Sequence, residues 1–458
     1  MNAQPNIKRI LLLATVVLVS IFLLWWLWQY LHTGTITITT NDKNNLIEIR
    51  QDKASKDIKQ AKGSLKLSLH TGKYYVVVSN RASSTTQYTL AKARQASSYK
   101  IDVENLIEPE PVLPYGAYNI LAGPQIYYVS MKDNLLYKID RGGQPATSSK
   151  VDFTKIKWQN ENYGAGINDA GDKLYRISNS GVTAVGLPFE SNLIVFDLSK
   201  NGVLVTSDGK SVYISSGGAF NKIYSSSEKI TDIAIGDSYI LLATLKAPAK
   251  NNDKQSFKII NLQGKVQSAS DISAHDYAWS PNGKYLAITS NSSTTIYDTS
   301  FKVVSHLPDA SVVALTWLND NALLYGLGSN LFSYNLQTTQ SSQLAALHGA
   351  SISGIYPGQD GSQVYLLEQT TGSKAHSFMT TRLNLNKSVP QYIYLYGLLL
   401  PVQIYNCKVS YVNFSQPLVS VLPSSSSASD SCIQSAKTYL AKDGLDVNKF
   451  SFYPEPSS

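Results

Sequence analysis

Residues 277–290 read Tyr277-Ala-Trp-Ser-Pro-Asn-Gly-Lys-Tyr-Leu-Ala-Ile-Thr-Ser290. The apolar run in this stretch follows a polar Pro-Asn-Gly turn, which is typical of two short strands joined by a tight turn. Two further strand-like runs follow at Thr294–Asp298 and Phe301–Ser305. The stretch therefore predicts a unit of four short strands.

The unit recurs along the chain. Trp317 and Tyr356 take the position of Trp279, at spacings of 38 and 39 residues. Four looser copies bring the total to seven, and they begin near Leu121, Ile167, Phe196 and Ile233. A repeat of about 40 residues with four strands is typical of a β-propeller. We predict a propeller of about seven blades over residues 116–422, with six or eight blades as alternatives because residues 391–422 contain unassigned strands.

The turn of the clearest copy carries a resemblance. It is similar to the Trp-Ser-Pro-Asp-Gly-Lys turn of TolB-type and WD-repeat-like propellers, and it consists here of Trp279, Ser280, Pro281, Asn282, Gly283 and Lys284. Asn282 stands where aspartate is usual. The resemblance implies a propeller that binds a protein partner in the cell envelope.

The region before the propeller alternates apolar and polar residues. Runs such as Thr35–Thr40, Leu65–Leu69 and Tyr74–Ser79 predict half-buried strands, so we expect a small β-sandwich over residues 34–105. Its opening strand and its Leu69–Val78 hairpin resemble those of PEGA-type surface domains, which implies a spacer or adhesion module outside the cell membrane.

The N-terminal region is strongly apolar. Residues 10–31 contain no charged side chain and follow Lys8 and Arg9. Such a stretch is long enough to cross a bilayer, and the basic pair predicts that residues 1–9 are cytoplasmic and that the bulk of the chain is extracytoplasmic. The alternative is a cleaved secretory signal, but the run is long for one and its exit lacks the small residues of a cleavage site.

Two segments flank the predicted propeller. Residues 106–115 contain Pro109, Pro111 and Pro114 and predict a semi-rigid linker, because proline at this density resists both helix and sheet. At the other end, residues 423–458 predict a C-terminal tail that opens with serines. The tail should contain one helix over Cys432–Lys442 and a final strand near Asn448–Tyr453.

The chain has two cysteines, Cys407 and Cys432. Outside the cytoplasm they are a possible disulfide that would tie the tail to the last strands. Two unpaired thiols are the alternative, because the sequence does not give the distance between them.

The charge distribution argues against a nucleic-acid partner. The net charge is +8, but residues 116–458 carry only +2 of it and contain no basic stripe interleaved with aromatic residues. The two cysteines are too few for a four-cysteine metal cluster. The sequence also contains no phosphate-binding glycine-rich motif, so we predict no cofactor and no metal.

No catalytic motif of useful specificity occurs, and the six histidines stand alone rather than at ligand spacings. The competing enzyme hypothesis is a sialidase-like glycosidase. Such a site needs three arginines to hold a carboxylate, and the propeller region contains Arg141, Arg176 and Arg382. The repeated sialidase boxes are missing, so we expect no enzyme.

Together these patterns predict an all-β protein with a transmembrane helix, a small β-sandwich, a propeller and a short helical tail. We expect a single-pass protein of the cell membrane that binds or scaffolds an envelope or extracellular protein partner.

Overall fold

The computed structural model describes the chain from Ile7 to Pro454. The residues left out within this range are 52–57, 81–82, 104–105, 108, 114, 123–125, 140–144, 161, 179, 191–193, 216–217, 246–255, 273, 275, 291–292, 309–311, 348–349, 371–377, 387–401, 405–406, 414–417, 424–428, 443–446 and 448–450. The chain forms two compact units, Met1–Glu104 and Asn105–Ser458.

The described residues of the first unit form one helix and seven strands. They are α1 (Ile7–His32), β1 (Thr33–Thr39), β2 (Leu46–Arg50), β3 (Lys59–Lys62), β4 (Ser64–His70), β5 (Gly72–Ser79), β6 (Ser84–Ala91) and β7 (Ala96–Lys100). In one sheet, β1 pairs antiparallel with β4 and parallel with β7. In the other, β6, β5, β2 and β3 pair in that order, all antiparallel.

The two sheets of the first unit share one apolar core. Alternation along β1 places Ile36 and Ile38 inward, where they are fully buried against Ile47, Ile49 and Val76. The strands lie where the alternation predicts them, and β3 is an additional strand that the sequence analysis missed. The arrangement is a two-layer sandwich.

Helix α1 runs from Ile7 to His32, and β1 begins at the next residue. Within the described residues, no helix combines the length and the apolarity that crossing a bilayer requires. The structure therefore does not support the predicted span over residues 10–31.

The second unit begins with a long series of strands. They are β8 (Glu110–Leu113), β9 (Ala117–Ala122), β10 (Ile126–Ser130), β11 (Leu135–Ile139), β12 (Pro145–Asn160), β13 (Tyr163–Asn168), β14 (Leu174–Ser178), β15 (Gly181–Ala184), β16 (Val195–Leu198), β17 (Leu204–Ser207), β18 (Ser211–Ser215), β19 (Asn221–Ser225), β20 (Lys229–Ile235), β21 (Tyr239–Leu245), β22 (Ser256–Asn261), β23 (Val266–Asp271), β24 (Asp276–Trp279), β25 (Tyr285–Thr289), β26 (Thr294–Asp298), β27 (Val303–His306), β28 (Ala314–Asn319), β29 (Ala322–Leu327), β30 (Asn330–Asn335), β31 (Gln340–Ala346), β32 (Ala350–Pro357), β33 (Gln363–Thr370) and β34 (Phe378–Asn384).

These strands form antiparallel sheets of four strands each, which we call blades 1 to 7 in chain order. Blades 3 to 6 are β16–β19, β20–β23, β24–β27 and β28–β31, each with its strands in sequence order. Blade 7 consists of β32, β33, β34 and β8. Blades 1 and 2 share β12: its first half is the outermost strand of blade 1, and its second half is the innermost strand of blade 2.

The seven blades close into a ring. Each innermost strand contacts the innermost strand of the next blade, and β32 of blade 7 contacts β9 of blade 1. Each interface between consecutive blades encloses its own apolar cluster. This is a β-propeller, and within the described residues the predicted count of seven blades agrees with its sheets.

The shared strand corrects one detail of the repeat. We predicted that the second copy begins near Ile167, but Ile167 lies on β13, the second strand of blade 2. The innermost strand of this blade is the C-terminal half of β12, which pairs with β13 from Phe153 onward. One continuous strand serves two blades, so no turn marks the boundary between them in the sequence.

The prediction that residues 106–115 form a linker is wrong. Residues Glu110–Leu113 form β8, which pairs antiparallel with β34 and completes blade 7. Proline is tolerated here because β8 is the outermost strand of its sheet, where one side of the backbone needs no partner. Ile107 is also buried, and its N–H donates to the Leu344 carbonyl oxygen at 2.7 Å.

The C-terminal region also differs from the prediction. The strands β35 (Val402–Ile404), β36 (Cys407–Asn413) and β37 (Leu418–Pro423) lie outside the ring and pair with β38 (Ser451–Pro454). The predicted propeller boundary at residue 422 is therefore wrong. Helix α2 (Ser429–Lys442) covers this sheet with the stripe Cys432, Ala436 and Leu440, since an exposed apolar sheet face would be unfavourable.

The closing interface gives a test of the ring. Leu113 of β8 is 6% exposed and packs between blades 7 and 1. We expect Leu113→Ala to lower the free energy of unfolding by about 2–5 kcal/mol, the cost of a cavity in a packed core. Denaturant titration of the full chain measures this change.

The control variant is Val303→Ala, at a side chain that is 46% exposed on β27. It should change the free energy of unfolding by no more than about 0.5 kcal/mol. Equal unfolding midpoints for Leu113→Ala and the unmodified chain would contradict closure of the ring through β8.

Candidate functional site

The repeated aromatic position fastens one blade to the next. The Trp279 indole N–H donates to the Ala234 carbonyl oxygen at 3.2 Å, and the Trp317 indole N–H donates to the Ala278 carbonyl oxygen at 3.0 Å. Each tryptophan lies on the innermost strand of its blade, and its acceptor lies on the innermost strand of the preceding blade. The repeated tryptophan position therefore reflects a hydrogen bond between consecutive blades.

The same contact occurs where the sequence analysis did not find it. The Trp158 indole N–H donates to the Asn119 carbonyl oxygen at 3.0 Å and joins blade 2 to blade 1. At the ring closure, Tyr356 of β32 takes the repeated aromatic position, and burial raises the pKa of its hydroxyl to about 12. Trp158 was missed because its blade begins inside the long strand β12.

The predicted turn motif joins β24 to β25 and is structural. Ser280 Oγ accepts the Tyr285 N–H at 3.0 Å, and Asn282 Oδ1 accepts the Lys284 N–H at 3.0 Å, which is the acceptor role an aspartate would fill. Gly283 has φ +66°, and a Cβ there would lie 2.8 Å from the Asp237 nitrogen of blade 4. The turn requires glycine at this position and contacts the neighbouring blade.

Charged side chains collect on the innermost strands of blades 2 to 5. We call Lys155, Lys157, Asp197, Asp232 and Asp276 the inner-strand cluster. Lys157 Nζ lies 3.4 Å from Asp197 Oδ1, and Lys155 Nζ lies 3.3 Å from Asp232 Oδ1. The topology makes this cluster, because the five residues come from four strands that together span more than one hundred residues of sequence.

Two of the three aspartates also reach the following blade. Asp197 Oδ2 accepts the Ile235 N–H at 2.9 Å, and Asp232 Oδ2 accepts the Tyr277 hydroxyl at 2.5 Å. Asp276 Oδ1 accepts the N–H of Tyr277, the next residue on its own strand, at 2.9 Å. The first two contacts satisfy carboxylate oxygens and join blades 3 to 5 in series.

The electrostatics of the cluster follow from burial and from these pairs. The neighbouring Asp197 carboxylate raises the pKa of Lys157 and keeps its amine charged. Burial raises the pKa of the Asp276 carboxyl, and burial together with the adjacent Asp232 raises the pKa of the Tyr277 hydroxyl. Three carboxylates thus face two ammonium groups, so the cluster has an excess of negative charge when all are ionised.

Part of the inner-strand cluster remains accessible. The side chains of Lys155, Asp232 and Lys157 are 34%, 41% and 45% exposed, whereas the side chain of Asp197 is 9% exposed. Accessible charges of both signs, held by fixed strands, are suited to binding a polar ligand. Within the described ranges, no group of three or more His, Cys, Asp or Glu residues could hold a metal ion.

The structure joins Cys407 of β36 to Cys432 of α2 in a disulfide, with the two Cα atoms 5.6 Å apart. This pairing fastens α2 to the C-terminal sheet. The two sulfurs lie in the apolar core of that region, far in sequence from the inner-strand cluster.

The two described arginines of the glycosidase hypothesis lie on different blades. Arg176 lies on β14 and Arg382 on β34, the third strands of blades 2 and 7, with blade 1 between them. Arg382 Nη2 lies 2.5 Å from Glu110 Oε2 across the closing strand pair, so it has a structural partner. Arg141 lies outside the described residues.

No protein-family model matches the chain, and no curated protein matches it. Solved structures match it weakly. A structure titled streptogramin B lyase is 16% identical, with 61% of this chain and 97% of that chain covered and a TM-score of 0.44. A structure of YCF48 bound to D1 peptide is 13% identical, with the same coverages and a TM-score of 0.43.

A third match is hydrazine synthase from Kuenenia stuttgartiensis, at 13% identity, with 56% of this chain and 93% of that chain covered and a TM-score of 0.43. At identities and TM-scores this low, the likenesses carry no argument about activity or ligand. The propeller assignment rests on the strand pairing and on the seven blade interfaces described above.

The raised pKa of Asp276 gives a test of the inner-strand cluster. Because burial raises this pKa above its usual value of 3.8, the folded state favours the protonated carboxyl. The stability of the unmodified chain relative to Asp276→Asn should be greatest below that value and should fall as the pH rises through the raised pKa.

Denaturant unfolding of the two proteins between about pH 3 and pH 7 measures the difference. Asp169→Asn is the control, since Asp169 is exposed in the turn between β13 and β14. A difference between Asp276→Asn and the unmodified chain that does not vary with pH would show that Asp276 is not buried as described.

Proposed function

We propose that the protein is a binding module rather than an enzyme, and that the propeller holds a protein or another envelope ligand at the inner-strand cluster. The observation that carries the proposal is the partial exposure of Lys155, Lys157 and Asp232 on the innermost strands of a closed ring. Propellers present such positions to ligands because the innermost strands line the central channel.

The charges of the cluster indicate what the ligand carries. Two ammonium groups are paired with Asp197 and Asp232, which leaves the third carboxylate, Asp276, without a cationic partner of its own within hydrogen-bond distance in the described structure. Opposite charges across an interface favour one partner over another. We therefore expect the ligand to present a basic group, such as a lysine or arginine side chain, toward blades 4 and 5.

An extracytoplasmic location is part of the proposal. The Cys407–Cys432 disulfide supports it, because disulfides persist in oxidising compartments and are rare in the cytosol. The N-terminal anchor is proposed from the sequence alone, because residues 10–31 contain no charged side chain and follow Lys8 and Arg9.

The binding proposal is tested by capture from envelope extract with the tagged full-length chain, followed by quantitative mass spectrometry. We expect Asp232→Asn to reduce capture of the specific partner about ten-fold, because one close charge contact is worth on the order of 1–2 kcal/mol. The amide oxygen of asparagine can still accept the Tyr277 hydroxyl, so the blade contact is retained.

The matched control is Asp169→Asn, which removes the same charge from an exposed turn of blade 2. It should capture the partner as the unmodified chain does. If Asp232→Asn and the unmodified chain capture every protein equally, the inner-strand cluster is not the binding site.

The anchor is tested by fractionation. The full-length chain should stay with the membrane pellet after an alkaline carbonate wash, and a chain that lacks residues 1–32 should move to the supernatant. Release of the full-length chain by the wash would show that residues 10–31 do not cross the bilayer.

A further inference from the structure

A cavity of about 270 Å³ lies between blades 2 and 3. We call it the blade 2–3 pocket. One wall comes from β13, β14 and β15 of blade 2, and the other from β17, β18 and the segment before β19 of blade 3. It is separate from the inner-strand cluster, since none of the five cluster residues lines it.

Arg176 supplies the charge of this pocket. Among the described residues of the lining, it is the one charged side chain. Its guanidinium carbon lies 5.5 Å from the centre of the Tyr163 ring, so the cation is held over the ring face. The Arg176 Nε is buried and has no hydrogen-bond partner, and among the described residues Arg176 forms no ion pair. A buried donor without a partner is costly in a folded protein and needs an explanation.

Strand register places the polar groups of the pocket together. Arg176 is paired with Thr183 across β14 and β15, and with Ala165 across β13 and β14, so the three side chains share one face of blade 2. Ala165 is fully buried and small, which leaves room beside the guanidinium. The threonine hydroxyl therefore lies on the same face as the cation.

The opposite wall, from blade 3, is partly apolar. Leu204 and Phe220 line it together with Ser215 and Gly218, and Val185 adds an apolar side chain from blade 2. At the rim, a Cβ built on Gly186 or Gly218 would meet no atom within 4 Å, so the pocket has open space there. Among the described residues, the rim therefore has space for a ligand beside these two glycines.

We infer that the blade 2–3 pocket binds a small organic monoanion, a carboxylate with an apolar or aromatic body. A carboxylate would accept hydrogen bonds from the Arg176 guanidinium, including its unpartnered Nε. The single cation matches a single negative charge, and the leucine, phenylalanine and valine side chains match an apolar body. The inference does not depend on the ligand proposed for the inner-strand cluster.

The probe is benzoate, titrated into the full-length chain in detergent and followed by isothermal calorimetry. Benzamide tests the need for the charge, and inorganic phosphate tests the need for the apolar body. We expect benzoate to bind, and we expect benzamide and phosphate each to bind at least about ten-fold more weakly. Equal binding of benzamide or of phosphate would overturn the assignment.

Two variants locate the binding. Arg176→Gln should weaken benzoate about ten-fold or more by removing the cation. Gly186→Phe should weaken it by occupying the open rim, and it tests the site independently if Arg176→Gln does not fold. Lys222→Gln removes one positive charge from an exposed position of β19 and should leave benzoate binding unchanged.

The result that supports the inference is loss of benzoate binding in either pocket variant with retention in Lys222→Gln. The inference is overturned if the unmodified chain does not bind benzoate. It is also overturned if both pocket variants bind benzoate as tightly as the unmodified chain does. Failure of this test leaves the partner capture by the inner-strand cluster unaffected, because Asp232→Asn does not change the pocket.

Discussion

Closure of the ring is the constraint on which the rest of the propeller depends. A blade buries its apolar faces only against its two neighbours, so blade 7 must meet blade 1 or leave an apolar surface exposed to water. The chain meets this constraint with β8, which precedes the first complete blade and adds the outermost strand to the last one. Leu113 then packs against Ala117 and Tyr128 in the closing interface, and Glu110 pairs with Arg382 beside it.

The crowded innermost strands explain the polar side chains there. Backbone groups near the channel need partners, because a buried and unpaired N–H or carbonyl group is costly. Indole donors reach back to the preceding blade, as Trp317 does, and carboxylates reach forward, as Asp197 does. The same carboxylates hold the two lysines in fixed positions. The inner-strand cluster thus joins blades and also leaves accessible charges in a defined arrangement. We propose that the ligand binds to these charges.

The C-terminal region buries its apolar surface in a different way. Its sheet of β35 to β38 is not a blade, and its apolar face is covered by α2 rather than by a neighbouring sheet. The disulfide joins strand to helix across a sequence separation of 25 residues, so the pairing restricts the unfolded chain as well as the folded one. A disulfide of this kind stabilises a small sheet whose core contains few residues.

The sequence by itself determined the elements that repeat or alternate. The 38- and 39-residue spacing of Trp279, Trp317 and Tyr356 predicted the blades, and the alternation around Ile36 and Ile38 predicted the sandwich, because these patterns are local and reflect which face of a strand is buried. Spacing could not show that Pro111 lies in an edge strand, that Trp158 repeats the contact of Trp279, or that Lys157 meets Asp197. Those facts depend on which strands lie side by side in the ring, because residues far apart in sequence become neighbours only when their blades pack together.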